Sequence, residues 1–433
     1  MKEKLYFISV FCIVCVCGFA ADTMQMSLKD VVDRVIRENL SLKAEKLRQD
    51  EKKLSRDTSW NFIYPEMSVS AAAAKNNAYI NAEQSRNSST LSLSGSVSWS
   101  LRAQDFIDIF KSINDYQIGK LDYDVAKREV KNKAVLYYYL LQVDFEQIEL
   151  QKMLLDNSKA RLNNAKLGYR NSEVSRIELL RKEYNYKENS DRLTALENNY
   201  QILMIRFKQL LNIPDDVKLE FSDKLPEIEQ LNIGHLKSAD AEKTISVFQL
   251  QLESEKQRLE NKRNIFRFLP YLSMSFSVGT DAMPQEEKWQ DNTAQSIALR
   301  AAVTLPLSNI LPFSSVQAGI LKGKKILDRA KLAVEEEIQN QNTEKIAGLT
   351  EINQLLTSCE SHKENCTITK EAYQLSQRAY QEGELDYQTL SDTESDYRKA
   401  IYNLQYVKYE LLKSILDFGK KFNISLQQLG VIK

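Results

Sequence analysis

The side chains that most often do chemistry are scarce here. The two histidines, His235 and His362, stand far apart in the chain. Of five cysteines, Cys12, Cys15 and Cys17 fall within the first 21 residues, leaving Cys359 and Cys366. Seven residues along one helix is a rise of about 10 Å, too far for a disulfide between them. No His/Cys spacing of a metal site occurs, neither histidine sits in a triad pattern, and no glycine loop is built for phosphate. The chain therefore reads as a non-enzyme, with no catalytic, cofactor or metal site. Lys+Arg and Asp+Glu both number 59, so the net charge is zero, against the basic excess of a nucleic-acid protein. What remains is the tyrosines and charges beside two helix breaks.

Those breaks emerge from a duplication. The heptad line Ala134, Leu141, Ile148, Leu155, Leu162, Tyr169 recurs 211 residues later as Lys345, Ile352, Cys359, Cys366, Tyr373, Tyr380. A second line, Leu179, Tyr186, Leu193, Tyr200, Phe207, recurs as Leu390, Tyr397, Leu404, Leu411, Phe418. Between the lines lie Tyr169-Arg-Asn-Ser172-Glu-Val174 and Tyr380-Gln-Glu-Gly383-Glu-Leu385. Each copy predicts two long helices joined by a tight turn, with a strict seven-residue spacing that implies left-handed supercoiling. On this line both cysteines read as small buried hydrophobes. The segment Leu101–Lys166 has no proline and would run about 100 Å as one helix. A rod that long cannot bury one face in a single small core. An earlier helix is predicted from Leu28, capped by Ser27, to about Ser59, with Pro65 as its stop.

After Pro65 the period changes to two. Met67, Val69, Ala71 and Ala73 alternate with Ser68, Ser70 and Ala72; a polar loop is expected over Lys75–Thr90. Then Leu91, Leu93, Gly95, Val97, Trp99 and Leu101 alternate with five serines. The pattern recurs after Pro270: Leu272, Met274, Phe276, Val278, a polar loop over Thr280–Gln295, then Ile297, Leu299, Ala301, Val303, Leu305, Leu307. Two readings fit strands apolar on one side and hydroxylated on the other: a membrane β-barrel or a half-buried soluble sandwich. The offset of 206 here grows to 211 by Ala134, which puts five extra residues around Leu311-Pro-Phe in the second copy. Four strands do not close a membrane barrel, because open edges are not tolerated in lipid. Several chains must share one.

The N-terminus has Lys2 and Lys4, an apolar run over Leu5–Cys17, and small residues at Gly18, Ala20 and Ala21. This is the pattern of a secretory signal peptide. A retained anchor and a lipoprotein signal at Cys15 or Cys17 are the alternatives. The domain reading is a signal peptide at 1–21 and a first repeat at 22–211, with strand pair 66–101 and helical hairpin 102–211. A linker at 212–238 follows, then a second repeat at 239–422, with strand pair 271–307 and hairpin 313–422, and a tail at 423–433.

In the order of its parts the chain resembles the TolC family of outer-membrane efflux proteins. The matching stretches are Leu28–Ala44, the Pro65 and Pro270 strand entries, Leu210-Leu-Asn-Ile-Pro214, and Tyr380–Asp392. The resemblance implies a mainly α fold with membrane β: a homotrimer with a shared twelve-stranded barrel in outer-membrane lipid. Below it, coiled helical hairpins would form an α-barrel tunnel across the periplasm. An inner-membrane transporter, through a periplasmic adaptor protein, would hand it substrates for efflux or type I secretion. The alternative from another class is a periplasmic coiled-coil adaptor or structural protein. The resemblance also implies a periplasmic gate: Tyr380 bonded to Glu178, a turn at Gly383, and Asp392 facing the pore. The sequence departs from that pattern at Leu385, where an Arg would stand, at Thr389, in place of a second pore Asp, and at Ser172, in place of glycine.

Overall fold

The computed structural model describes residues 23–81, 84–226, 234–282 and 293–431. The expected signal peptide at 1–21 lies outside them, as does part of the 212–238 linker. In chain order the strands and α-helices are β1 (Thr23–Met26), α1 (Leu28–Glu38), α2 (Leu40–Asp57), β2 (Glu66–Asn81), β3 (Gln84–Leu101), α3 (Ala103–Arg170) and α4 (Arg176–Leu211). There follow β4 (Lys218–Phe221), α5 (Gly234–Lys237), α6 (Ile245–Phe266), β5 (Tyr271–Ala282), β6 (Thr293–Thr304), α7 (Ser315–Gln381) and α8 (Tyr387–Lys421).

Four of the strands form an antiparallel sheet in the order β2-β3-β5-β6, and β1 pairs with β4 in parallel. Directly paired residues share a face in such a sheet, and the register keeps the alternation intact across the duplication. Met67 pairs with Val97, Val97 with Phe276, and Phe276 with Leu299. Ser68 pairs with Ser96, Ser96 with Ser277, and Ser277 with Ala298 on the opposite face. The serine hydroxyls bond across strands, Ser68 to Ser96 and Ser70 to Ser94, each at 2.8 Å. The apolar face has no cover in the single chain: Val69 is 82% exposed and Ile297 75%.

Two expectations about the strands need correction. Most of Lys75–Thr90 is strand rather than loop, because β2 and β3 pair out to Asn81 and Gln84. Polar composition marks a strand that leaves the apolar environment as readily as it marks a loop. In the second copy β6 ends at Thr304, so Leu305 and Leu307 fall outside the sheet. Leu307–Asn309 forms a 3-10 turn, and Phe313 takes a left-handed φ of 64° before α7. This detour holds the extra residues of the second copy.

The helices lie in four lanes. α3 packs on α2, α4, α6 and α8, and α7 packs on α6 and α8. The expected helix from Leu28 to Ser59 is broken at Asn39, whose ψ of 122° is extended. Its side chain accepts from the Leu42 N–H at 3.0 Å and donates to the Leu210 carbonyl at 2.9 Å. Arg34 Nε donates to the Leu211 carbonyl at 3.2 Å. The last carbonyls of a helix lack partners of their own, so α4 ends against the α1–α2 break and shares its lane. Periodicity alone missed this, because a capping Asn interrupts the chain without disturbing its apolar spacing.

The main core lies where α1, α3, α4, α8 and the β1–β4 pair meet. Tyr138 is at its centre, fully buried. Its hydroxyl donates to the Met26 carbonyl at 3.2 Å and accepts from the Asp223 N–H at 3.0 Å. Along the heptad line Leu141, Ile148, Leu162, Ile352 and Cys359 are buried, whereas Leu155 and Cys366 are only half-buried. Asp144 breaks the apolar character of α3 here; its second-copy counterpart is Leu355. Burial pushes the Asp144 carboxyl up to about 6, above its ordinary value of 3.8. A carboxyl that holds its proton more tightly folded than unfolded destabilises the fold once ionised. That cost is absent below the unfolded value and complete above the folded one. Asp144→Asn should therefore raise the thermal midpoint in detergent at pH 8 and leave it unchanged at pH 3.5. An equal shift at both pH values would show that ionisation is not the cause.

Candidate functional site

The two interhelical turns lie at the end of the long helices remote from the sheet. They are built alike. In the first, Glu173 N–H donates to the Gly168 carbonyl and Ser172 N–H to the Tyr169 carbonyl. In the second, Glu384 N–H donates to Ala379 and Gly383 N–H to Tyr380. Gly383 has φ +79° and Ser172 has φ +62°. Only glycine enters that region without a steric penalty. The next helix is capped in each copy from the same offset: Ser175 Oγ accepts from Glu178 N–H at 3.2 Å, and Asp386 Oδ1 from Thr389 N–H at 2.7 Å. The Thr389 backbone N–H, followed by its side chain, holds the Asp386 carboxyl below its usual range.

These roles locate several of the predicted gate residues. Thr389 is part of a helix cap. Glu178 is exposed and engaged through its backbone. Tyr380 is exposed on the last turn of α7, its ring edge-on to Tyr387 at 6.2 Å between centroids. Among the described residues no hydrogen bond joins Tyr380 to Glu178. Asp392 is engaged instead with Arg161 of α3, so an ion pair ties the second hairpin to the first. The two side chains are 48% and 33% exposed.

Arg161 escaped the reading of the sequence. Its second-copy counterpart is Ala372, so the duplication gave no cue. The family pattern looked for a cation at Leu385, in the turn itself. A polar layer surrounds the pair. Asn157 Nδ2 donates to Ser395 Oγ at 3.0 Å, and Ser395 Oγ to the Ser391 carbonyl at 2.8 Å. On the other side Gln151 Nε2 reaches the Asn189 side chain at 3.0 Å. Asn157, Asn189 and Ser395 line, with Arg161 and Asp392, a groove of about 520 Å³ between α3, α4 and α8. The chemistry available is polar and reversible contact between hairpins. Among the described residues no group of His, Cys, Asp and Glu is arranged to hold a metal.

No known sequence family and no curated protein matches the sequence. Solved structures do match. The outer-membrane channel OprN superimposes with a TM-score of 0.69 at 16% identity, over 92% of this chain and 90% of that one. The Campylobacter jejuni CmeC outer membrane channel gives 0.68 at 16% identity, over 91% and 85%. The Neisseria gonorrhoeae MtrE outer membrane channel, solved in its open state, gives 0.67 at 16%, over 91% and 88%. The fold is that of outer-membrane channels, almost end to end.

The turns make a differential prediction. Ser172 already bears the left-handed strain that Gly383 avoids. Gly383→Ala should cost the second tip about 1–2 kcal/mol, whereas Ser172→Ala should be close to neutral. Amide hydrogen exchange at residues 379–386 should quicken in the first variant, and at 168–175 change little in the second. Equal effects at the two turns would refute the assignment.

Proposed function

We propose that three copies of this chain close edge to edge into a passive exit duct spanning the outer membrane and the periplasm. The observation that carries this reading is that sheet and helices are left open in the same order. The sheet ends in unpaired β2 and β6. The helical layer ends in the α2/α4 lane and in α7, which buries only Val316, Ile352 and Cys359 of its 67 residues. Exposed apolar side chains mark both helical edges, Leu40, Leu47 and Leu54 on α2, and Leu321, Leu332 and Ile346 on α7. One rotation that pairs β6 with the next β2 also packs α7 on the next α2/α4 lane. Two copies would make an eight-stranded barrel, whose interior side chains fill it; twelve strands leave an aqueous lumen. The apolar face of the sheet then meets lipid and its serines meet water.

The energy for transport comes, on this reading, from an inner-membrane transporter acting through a periplasmic adaptor at the hairpin tips. The gate lies at those tips. Arg161–Asp392 is the tie between hairpins, Gly383 shapes the turn, and Tyr380, Glu178 and Thr389 stand beside it. Contacts there are polar and partly exposed, a kind each worth about 0–1 kcal/mol, so a partner can rearrange them cheaply.

Detergent extracts of the outer membrane should contain a particle with the mass of three chains that conducts ions in planar bilayers. A soluble periplasmic monomer would sink the proposal. Val97→Arg should destabilise insertion by roughly 2–4 kcal/mol if Val97 lies near the bilayer midplane.

For the gate, Arg161→Ala and Asp392→Ala should each raise single-channel conductance. The double variant should go no further than the single ones, since the pair is lost once. Additive effects would mean that the two residues act separately.

A further inference from the structure

A second groove, of about 550 Å³, lies between α1, α3 and the segment after α8. Five cations line it, Lys29, Lys127, Arg128, Lys131 and Lys420, against two carboxylates, Asp33 and Asp124. This local excess stands in a chain of zero net charge. Lys29, Lys127 and Lys131 make no hydrogen bond or ion pair among the described residues. Lys420 and Arg128 are engaged with Glu129 and Asn423. Burial, with the like charge of Lys127, pushes the Lys131 ammonium below its ordinary value. Five cations against two carboxylates leave the partly buried groove with an excess of positive charge that a bound anion would relieve. The floor is different: Val32, Ile36, Ile424 and Leu426 contribute apolar surface.

We infer that this groove binds an acidic peptide segment carrying apolar side chains, supplied by a partner protein. Position excludes other sources. Arg128 lies about 40 Å along α3 from the sheet and about 60 Å from the hairpin tip, by the helical rise. Lipid headgroups beside the sheet do not reach it, and neither does anything seated on the tips. A second copy of the chain does not cover it either, because most of the lining comes from α3, α8 and the segment after α8, and none from α7 or the α2/α4 lane that form the open edges. A free inorganic anion would leave the apolar floor unused, and the volume suits a larger ligand.

The test uses the full-length protein in detergent and short fluorescent peptides, read by anisotropy. A peptide of alternating glutamate and leucine should bind, more weakly as salt rises, and a lysine–leucine peptide should not. Lys127→Glu with Lys131→Glu should weaken binding by about tenfold or more, because it turns two cations of the groove into anions facing an acidic ligand. Asp33→Asn should tighten it, a gain that a folding defect would not produce. Ile424→Ser should weaken the glutamate–leucine peptide and not a glutamate-only one. Conductance of the same preparations reports separately on the duct. Absence of binding, binding indifferent to the double reversal, or full displacement by millimolar inorganic phosphate would each overturn the inference.

Discussion

Backbone N–H and C=O groups in lipid must be hydrogen-bonded within the protein, and a four-stranded sheet leaves two rows of them unmet. The rest of the chain is arranged consistently with that constraint. The apolar face of the sheet is continuous from β2 to β6, so nothing in the single chain turns it inward. The helices stop at the same lateral limits as the strands, with sparse burial on α7 and exposed leucines on α2. An open edge is a liability in a soluble protein. Here the edges are regular, long and matched between layers, which is the condition for closure by copies of the same chain.

Packing changes character along the helices. Around Tyr138 the core is apolar and dense, and the buried Tyr138 hydroxyl of α3 fastens β1 at Met26 and the segment after β4 at Asp223. Toward the tips it gives way to amides, hydroxyls and the Arg161–Asp392 pair, with only Leu162, Ala165 and Leu179 as a small buried cluster. Regions with few buried apolar contacts open at lower free energy than the core. A helical layer that is firm at the middle and loosely held at one end can open there without unfolding.

The duplication preserved backbone geometry more strictly than side chains. Both turns have their left-handed residue at the same offset, Ser172 and Gly383, and both return helices end on a left-handed asparagine, Asn212 and Asn423. Asp144 faces Leu355 in the comparison of copies, and Arg161 faces Ala372. The polar substitutions fall where the first hairpin meets the second. The repeat thus sets the scaffold, and its asymmetries set the contacts between halves.

The periodicities are written in residue spacing alone: seven along the helices, two along the strands, and 211 between copies. These are local properties, because which face of an element is apolar follows from residue spacing alone. From them follow the four strands, the four long helices and the serine face. Which distant residues meet is settled only when the helices pack. The break at Asn39 depends on carbonyls at Leu210 and Leu211, far along the chain. The engagement of Asp392 depends on an arginine in the other hairpin, at a position the repeat leaves unmarked. The basic groove gathers Lys29, Lys131 and Lys420 from three separate elements. Such contacts are set by how helices cross and stack, and a pattern that records only which side of each helix is apolar carries no information about them.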